Sequence, residues 1–239
     1  AGHGSTWLEI SSVDISRFEI NGYSYSGIRG NGLLRDNVFD GRIVCEDPNL
    51  RFMFQGVAAL DPADADAVYE FYANVGYADL HAMNLDPRGK SVVSFRANSN
   101  FTKGIGGDME GELEIRQLTL ENSFRSENAG DITVRISNDP RDYRASGVSD
   151  FINAEYEGSA SIERFIKDFQ ALTIGKAADL VCPEDALTWS GNTYSLNVTT
   201  GNTMGVLSFL KPGLYVADKS FLSVSVDDEG RLDAGISSQ

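Results

Sequence analysis

From about Trp7 to Gly158 the apolar residues recur at every second position, and short polar or glycine-bearing breaks divide the pattern into segments. Leu50, Phe52 and Phe54 alternate with Arg51, Met53 and Gln55. Tyr69, Phe71, Val75 and Tyr77 alternate with Glu70, Tyr72 and Asn74, and Val93, Phe95 and Phe101 with Ser94, Arg96 and Asn100. Met109, Leu113 and Ile115 back onto Glu110, Glu112, Glu114 and Arg116, and Ile132, Val134 and Ile136 onto Thr133, Arg135 and Ser137. Side chains alternate across a strand, so this pattern predicts antiparallel strands with one apolar and one wet face. Asp66 to Leu80 and Asp108 to Leu120 sustain it beyond ordinary strand length, which predicts a long, curved meander.

The breaks have turn chemistry: Asn21-Gly22, Asn31-Gly32, Asp40-Gly41, Asp47-Pro48-Asn49, Asp86-Pro87-Arg88-Gly89, Gly106-Gly107 and Asp139-Pro140. Each supplies a positive or fixed φ where a chain reverses. Around Ser161 the period changes. Ile162, Phe165, Ile166, Phe169 and Leu172 fall at helical spacing, with Glu163, Arg164, Lys167 and Asp168 opposite, Ser159 or Ser161 as cap and Gly175 as stop. The helix is expected to cover or plug the apolar face of the preceding sheet.

Beyond Cys182-Pro183 strands resume at Thr193 to Thr199, Tyr215 to Val216, Phe221 to Val226 and Leu232 to Ile236, with a short helix over Met204 to Leu210 stopped by Lys211-Pro212-Gly213. The expected organisation is a β-groove segment over 1–158, an amphipathic helix and connection over 159–181, and a second, partial β-segment over 182–239.

Composition narrows the function classes. Acidic residues outnumber basic ones 35 to 20, a net charge of −15, so a phosphate backbone or an anionic bilayer surface is expected to be repelled, which disfavours nucleic acid as a partner. Two cysteines, Cys45 and Cys182, exclude a disulfide framework and a cysteine-cluster metal site; they read as small buried residues or as one pair. No stretch reaches the roughly 20 apolar residues that cross a bilayer as a helix. Ala1 to Ser5 reads as a cloning remnant, and the chain as a segment of a longer protein.

Candidate chemistry is sparse, and no cofactor or metal is expected. Only His3 and His81 are available as histidine bases, and neither stands in a nucleophile pattern. Asp61, Asp64 and Asp66 lack the glycine and closing glutamate of a calcium loop. Glu110, Glu112 and Glu114 sit on the wet side of a strand, without the desolvation that prepares a glycosidase acid. Lys103-Gly104-Ile105-Gly106-Gly107 is followed by strand, not helix, and reads as a hairpin loop. What remains is the apolar face: a non-catalytic surface, or the core of a protein-binding or glycan-binding β-sandwich.

The run Gly30 to Val57, GNGLLRDNVFDGRIVCEDPNLRFMFQGV, resembles TamB/AsmA-like proteins of the Bacteroidota type. The likeness continues through Tyr69 to Leu85 and Val93 to Leu118, and returns at Lys211 to Asp218. It implies a periplasmic, taco-shaped β-groove in a full-length protein anchored at the inner membrane. Phospholipid acyl chains would lie along the groove's apolar interior on their way to the outer membrane, and an outer-membrane assembly protein would be the partner. On that reading the lipid-lining candidates are Leu50, Phe52, Phe54, Tyr69, Phe71, Val75, Val93, Phe95, Leu113, Ile115, Ile132 and Val134.

Overall fold

The computed structural model describes residues 7–61, 67–103, 108–139, 142–169, 191–211 and 213–238. In chain order the strands are β1 (Trp7–Ile15), β2 (Phe18–Ile20), β3 (Tyr23–Tyr25), β4 (Ile28–Arg35), β5 (Val38–Asp47), β6 (Leu50–Ala59), β7 (Val68–Asp79), β8 (Ser91–Lys103), β9 (Met109–Asn122), β10 (Ser126–Asp139), β11 (Asp142–Ser149), β12 (Ile152–Gly158), β13 (Tyr194–Thr200), β14 (Phe221–Val226) and β15 (Leu232–Ser237). Helix α1 covers 162–169, and α2 is Met204–Leu210. The protein is therefore mainly β.

Thirteen strands form one sheet in the order β1-β4-β5-β6-β7-β8-β9-β10-β11-β12-β13-β14-β15, while β2 and β3 pair as a separate hairpin. This is the antiparallel meander that period two predicts. The expected second sheet is corrected: β13 hydrogen-bonds to β12 from Ile152↔Thr200 to Gly158↔Tyr194, so β13, β14 and β15 extend the first sheet. The smaller sheet is the β2–β3 hairpin, whose Asn21-Gly22 turn has φ of 52° and 72° as its sequence predicts. Tyr215–Val216 is irregular, not strand.

Two expected turns are also corrected. Asn31-Gly32 lies inside β4 and Asp40-Gly41 inside β5, paired Gly32↔Gly41. The reversal is made by Asp36 and Asn37, whose φ of 48° and 63° give the left-handed pair a two-residue hairpin needs. Gly41 serves close approach instead. A Cβ there would lie 2.3 Å from the Asn31 carbonyl oxygen and 2.8 Å from Phe39 Cζ, so the Phe39 ring rests on bare backbone.

Packing divides the chain into two units. In the first (Ala1–Lys103, Gly111–Thr133 and Met204–Tyr215), Tyr25, Val75, Ala78 and Met83 form a buried cluster against which Tyr23, Ile28, Leu50, Phe52, Leu80, Val93 and Phe95 pack. In the second (Gly104–Glu110, Val134–Thr203 and Val216–Gln239), α1 lies on the apolar face of its strands. The Phe165 ring centroid is 5.5 Å from that of Tyr156 on β12 and 5.2 Å from that of Tyr194 on β13. Ser161 is the cap, its Oγ accepting from the Arg164 amide at 3.3 Å. Tyr194 donates to Asp168 at 2.6 Å, and Arg164 pairs with Asp168 at 2.9 Å. Within this unit the helix covers sheet as expected; Leu172, Gly175, Cys182 and Pro183 lie outside the described residues.

Candidate functional site

Directly paired residues in an antiparallel sheet project to the same side, so register decides which residues share a face. Across the first unit one row runs Ile28↔Cys45, Cys45↔Phe52, Phe52↔Val75 and Val75↔Phe95. A second runs Gly30↔Ile43, Ile43↔Phe54, Phe54↔Ala73 and Ala73↔Ala97, and a third Gly32↔Gly41, Gly41↔Gly56, Gly56↔Phe71 and Phe71↔Ser99. A fourth runs Leu34↔Phe39, Phe39↔Ala58, Ala58↔Tyr69 and Tyr69↔Phe101. Leu50 and Val93 join the same face through their pairings with Ala78. The other face bears Arg29, Asn31, Arg42, Gln55, Glu70, Asn74, Arg96, Asn98 and Asn100.

Eight predicted positions, Leu50, Phe52, Phe54, Tyr69, Phe71, Val75, Val93 and Phe95, are thus brought to one side of β6, β7 and β8. Leu113 and Ile115 share a face of β9, Ile132 and Val134 share one of β10, and all four are half-buried. Phe39, Ile43 and Phe101 belong to the same apolar side although they are absent from the predicted set. Phe39 and Ile43 flank the glycine that imitated a turn.

Tyr77 is corrected: it lies on the polar side, opposite Arg51, whose guanidinium carbon stands 5.4 Å from the ring centroid. The cause is a β-bulge. β7 has one residue more than its neighbours between Val75 and Ala78, so Ala78 returns to the apolar face where strict alternation would place Tyr77.

The apolar side has two regions. Near the β5–β6 and β7–β8 connections it is capped by the β2–β3 hairpin and by Met83, which is 2% exposed. Asp47 latches this hairpin. Its carboxylate accepts from the Tyr23 hydroxyl, from the Ser26 amide at 2.9 Å, from the Ser26 hydroxyl at 2.8 Å and from the Asn49 amide at 2.9 Å. Burial pushes the Asp47 carboxyl up, but those donors together outweigh it and hold it below the usual carboxylate range. Burial, then the bond to Asp47, pushes the Tyr23 hydroxyl up. Cys45 beneath the hairpin is a free, buried thiol, also pushed up by burial, and it donates to the Ser26 carbonyl at 3.6 Å.

Farther along the strands the large described residues of this face are only half-buried. Phe39, Phe54 and Phe71 form a row across β5, β6 and β7 with centroid spacings of 6.0 and 5.2 Å. All three rings keep partial solvent exposure. Of the eight predicted positions only Val75 is buried; the other seven are half-buried. A dry core beneath a second sheet would bury them.

The remaining candidates have other partners. His81 Nδ1 lies 2.9 Å from the Asp86 carbonyl oxygen, within its own turn. Glu114 pairs with Arg116 at 2.9 Å. Asp64, Asp66 and Gly104 to Gly107 lie outside the described residues. Among the described residues no group of three or more His, Cys, Asp or Glu side chains is arranged to hold a metal ion, and no helix is long and apolar enough to cross a membrane.

No protein-family model, curated protein or solved structure matches this chain.

Proposed function

We propose that the half-buried apolar face of β5 to β8 shelters the hydrocarbon tails of phospholipids, within a longer periplasmic protein of the TamB/AsmA-like kind that moves lipid toward the outer membrane and meets an assembly protein there. The observation that supports this reading is the incomplete burial of one contiguous apolar side. Its rows from Ile28 to Phe95 and from Leu34 to Phe101 are in register, yet Phe39, Phe54 and Phe71 stay partly open to solvent.

The energetics favour such an occupant. Each methylene that this face keeps out of water is worth about 0.8 kcal/mol, so a whole acyl chain lying along it is needed to offset the cost of association. The opposite face is mixed, with Arg42, Arg51, Arg96 and several asparagines beside Val44, Met53 and Tyr72.

The test is extraction. The chain, expressed in the periplasm and purified without detergent, is extracted into organic solvent and the extract analysed by mass spectrometry. Phospholipid in stoichiometric amount is expected, reduced when Phe54 and Phe71 are both changed to Ser. A folded protein that yields no lipid, or the same trace from wild type and variant, would overturn the proposal.

A further inference from the structure

A second exposed apolar patch lies in the first unit, away from the Phe39–Phe54–Phe71 row. The β9–β10 turn, Asn122 to Arg125, is held by the Asn122 side chain, which accepts from the Phe124 amide at 2.9 Å and the Arg125 amide at 3.1 Å. The turn is rigid at its root, yet it presents Phe124 to solvent at 92% exposure. The end of α2 and the segment after it expose Leu210 at 57%, Leu214 at 46% and Tyr215 at 63%.

These elements meet around one cleft of about 200 Å³, lined by Arg88, Lys90, Asn122, Ser123, Phe124, Arg125, Phe209 and Gly213 among others. Arg88 ties its walls together, donating to the Phe209 carbonyl at 3.1 Å and to the Leu210 carbonyl while its other nitrogens hold Asp86 at 2.7 and 2.8 Å. Exposed apolar side chains grouped around one cleft, rather than scattered singly, mark an interaction surface.

The charge here runs against that of the whole chain, which is −15. Arg88, Lys90 and Arg125 line this rim, and Lys211 lies in the chain between the lining residues Phe209 and Gly213. Of the nearby carboxylates, Asp86 is paired with Arg88 and Glu121 with Lys90, and Glu127 lies close to Gly205. Arg125 and Lys211 are left to face solvent next to the exposed rings. Apolar side chains projecting from a turn, flanked by exposed cations, match the layered chemistry of a bilayer surface, where hydrocarbon lies under phosphate.

We infer that this rim docks on the surface of a phospholipid bilayer, with Phe124, Leu210, Leu214 and Tyr215 entering the headgroup–acyl boundary and Arg125 and Lys211 meeting lipid phosphates. The inference stands apart from the tail-binding proposal, because it concerns other residues and needs no lipid on the Phe39–Phe54–Phe71 row. The net negative charge of the chain opposes approach to an anionic membrane, so contact is driven by apolar insertion, and the local cations set orientation.

The experiment is flotation of the whole chain with unilamellar vesicles of phosphatidylcholine containing phosphatidylglycerol. Wild type floats. Phe124→Ser weakens partitioning about tenfold or more, the scale set by withdrawing one phenylalanine from apolar contact. The double change Arg125→Glu with Lys211→Glu weakens it further, and salt reduces that second effect. Phe18→Ser with Ile20→Ser, which alters exposed apolar side chains on the β2–β3 hairpin, leaves flotation unchanged. Failure of wild type to float, equal flotation of Phe124→Ser and wild type, or binding of the rim to a protein with no affinity for vesicles would overturn the inference. Because Phe124 touches water on nearly all sides, its substitution leaves folding intact, which circular dichroism of the variant checks.

Discussion

Phe54 and Phe71 stand with ring centroids 5.2 Å apart on one face of β6 and β7, and Gly56, two residues after Phe54 on β6, is the direct cross-strand partner of Phe71. A Cβ at Gly56 would fall 2.3 Å from the Glu70 carbonyl oxygen and 2.6 Å from Phe71 Cα, and its φ of 138° already lies where side chains strain. The aromatic row therefore depends on a glycine that lets two strands approach closely.

Gly56→Ala is expected to destabilise the protein by about 1–3 kcal/mol through backbone strain, with Phe71 displaced from its neighbour. Chemical denaturation read by circular dichroism gives the size of the loss. A variant as stable as wild type would mean that the approach of β6 to β7 is looser than the geometry requires.

Asp47→Asn removes the charge that the hairpin donors converge on. Loss of charge-assisted hydrogen bonds predicts about 1.5–3 kcal/mol less stability near neutral pH, with faster exchange at the Ser26 amide. The pH dependence has a definite sign. Because folding lowers the Asp47 pKa, its contribution is complete above the ordinary carboxylate range and disappears as pH falls through the folded value. The gap between wild type and Asp47→Asn should therefore close in acid. A gap that widens on acidification would assign the latch to another group.

Arg88→Met should loosen α2, because the side chain is the donor to the carbonyls of Phe209 and Leu210. Asp86 is held far below the usual carboxylate range, chiefly by hydrogen bonds from Arg88, so its contribution too is present above the ordinary carboxylate range and lost in acid. Without Arg88 part of that acid sensitivity disappears. Hydrogen exchange over Met204–Leu210 measures the first effect and acid titration of stability the second; protection of α2 unchanged in Arg88→Met would contradict the capping role.

Much of the fold was legible because alternation survives wherever the backbone is regular. Phe52, Phe71 and Phe95 could be assigned to one side from their neighbours alone, and the register agrees. Tyr77 could not, because a single extra residue in β7 inverts the parity and no local signal marks it apart from Gly76. Gly32 and Gly41 misled for the opposite reason: Asn-Gly and Asp-Gly are turn dipeptides, but here the glycines bring β4 and β5 together beneath Phe39. Asp36-Asn37 carries weaker turn chemistry and makes the actual reversal. The return of β13 to the edge of β12 depends on contacts between distant segments, which no periodicity encodes. The Asn21-Gly22 hairpin was visible, but its docking was not, since the link from Tyr23 and Ser26 to Asp47 spans more than twenty residues.

If the sheet shelters lipid tails, hydrocarbon lies against one of its sides and water against the other. A photoreactive phenylalanine analogue at Phe71, and separately at Tyr77, in chain produced in the periplasm reports both sides of the same strand. Crosslinked phospholipid at Phe71 and none at Tyr77 is the predicted result. Equal labelling at the two positions, or no lipid adduct at Phe71 in folded protein, would contradict it.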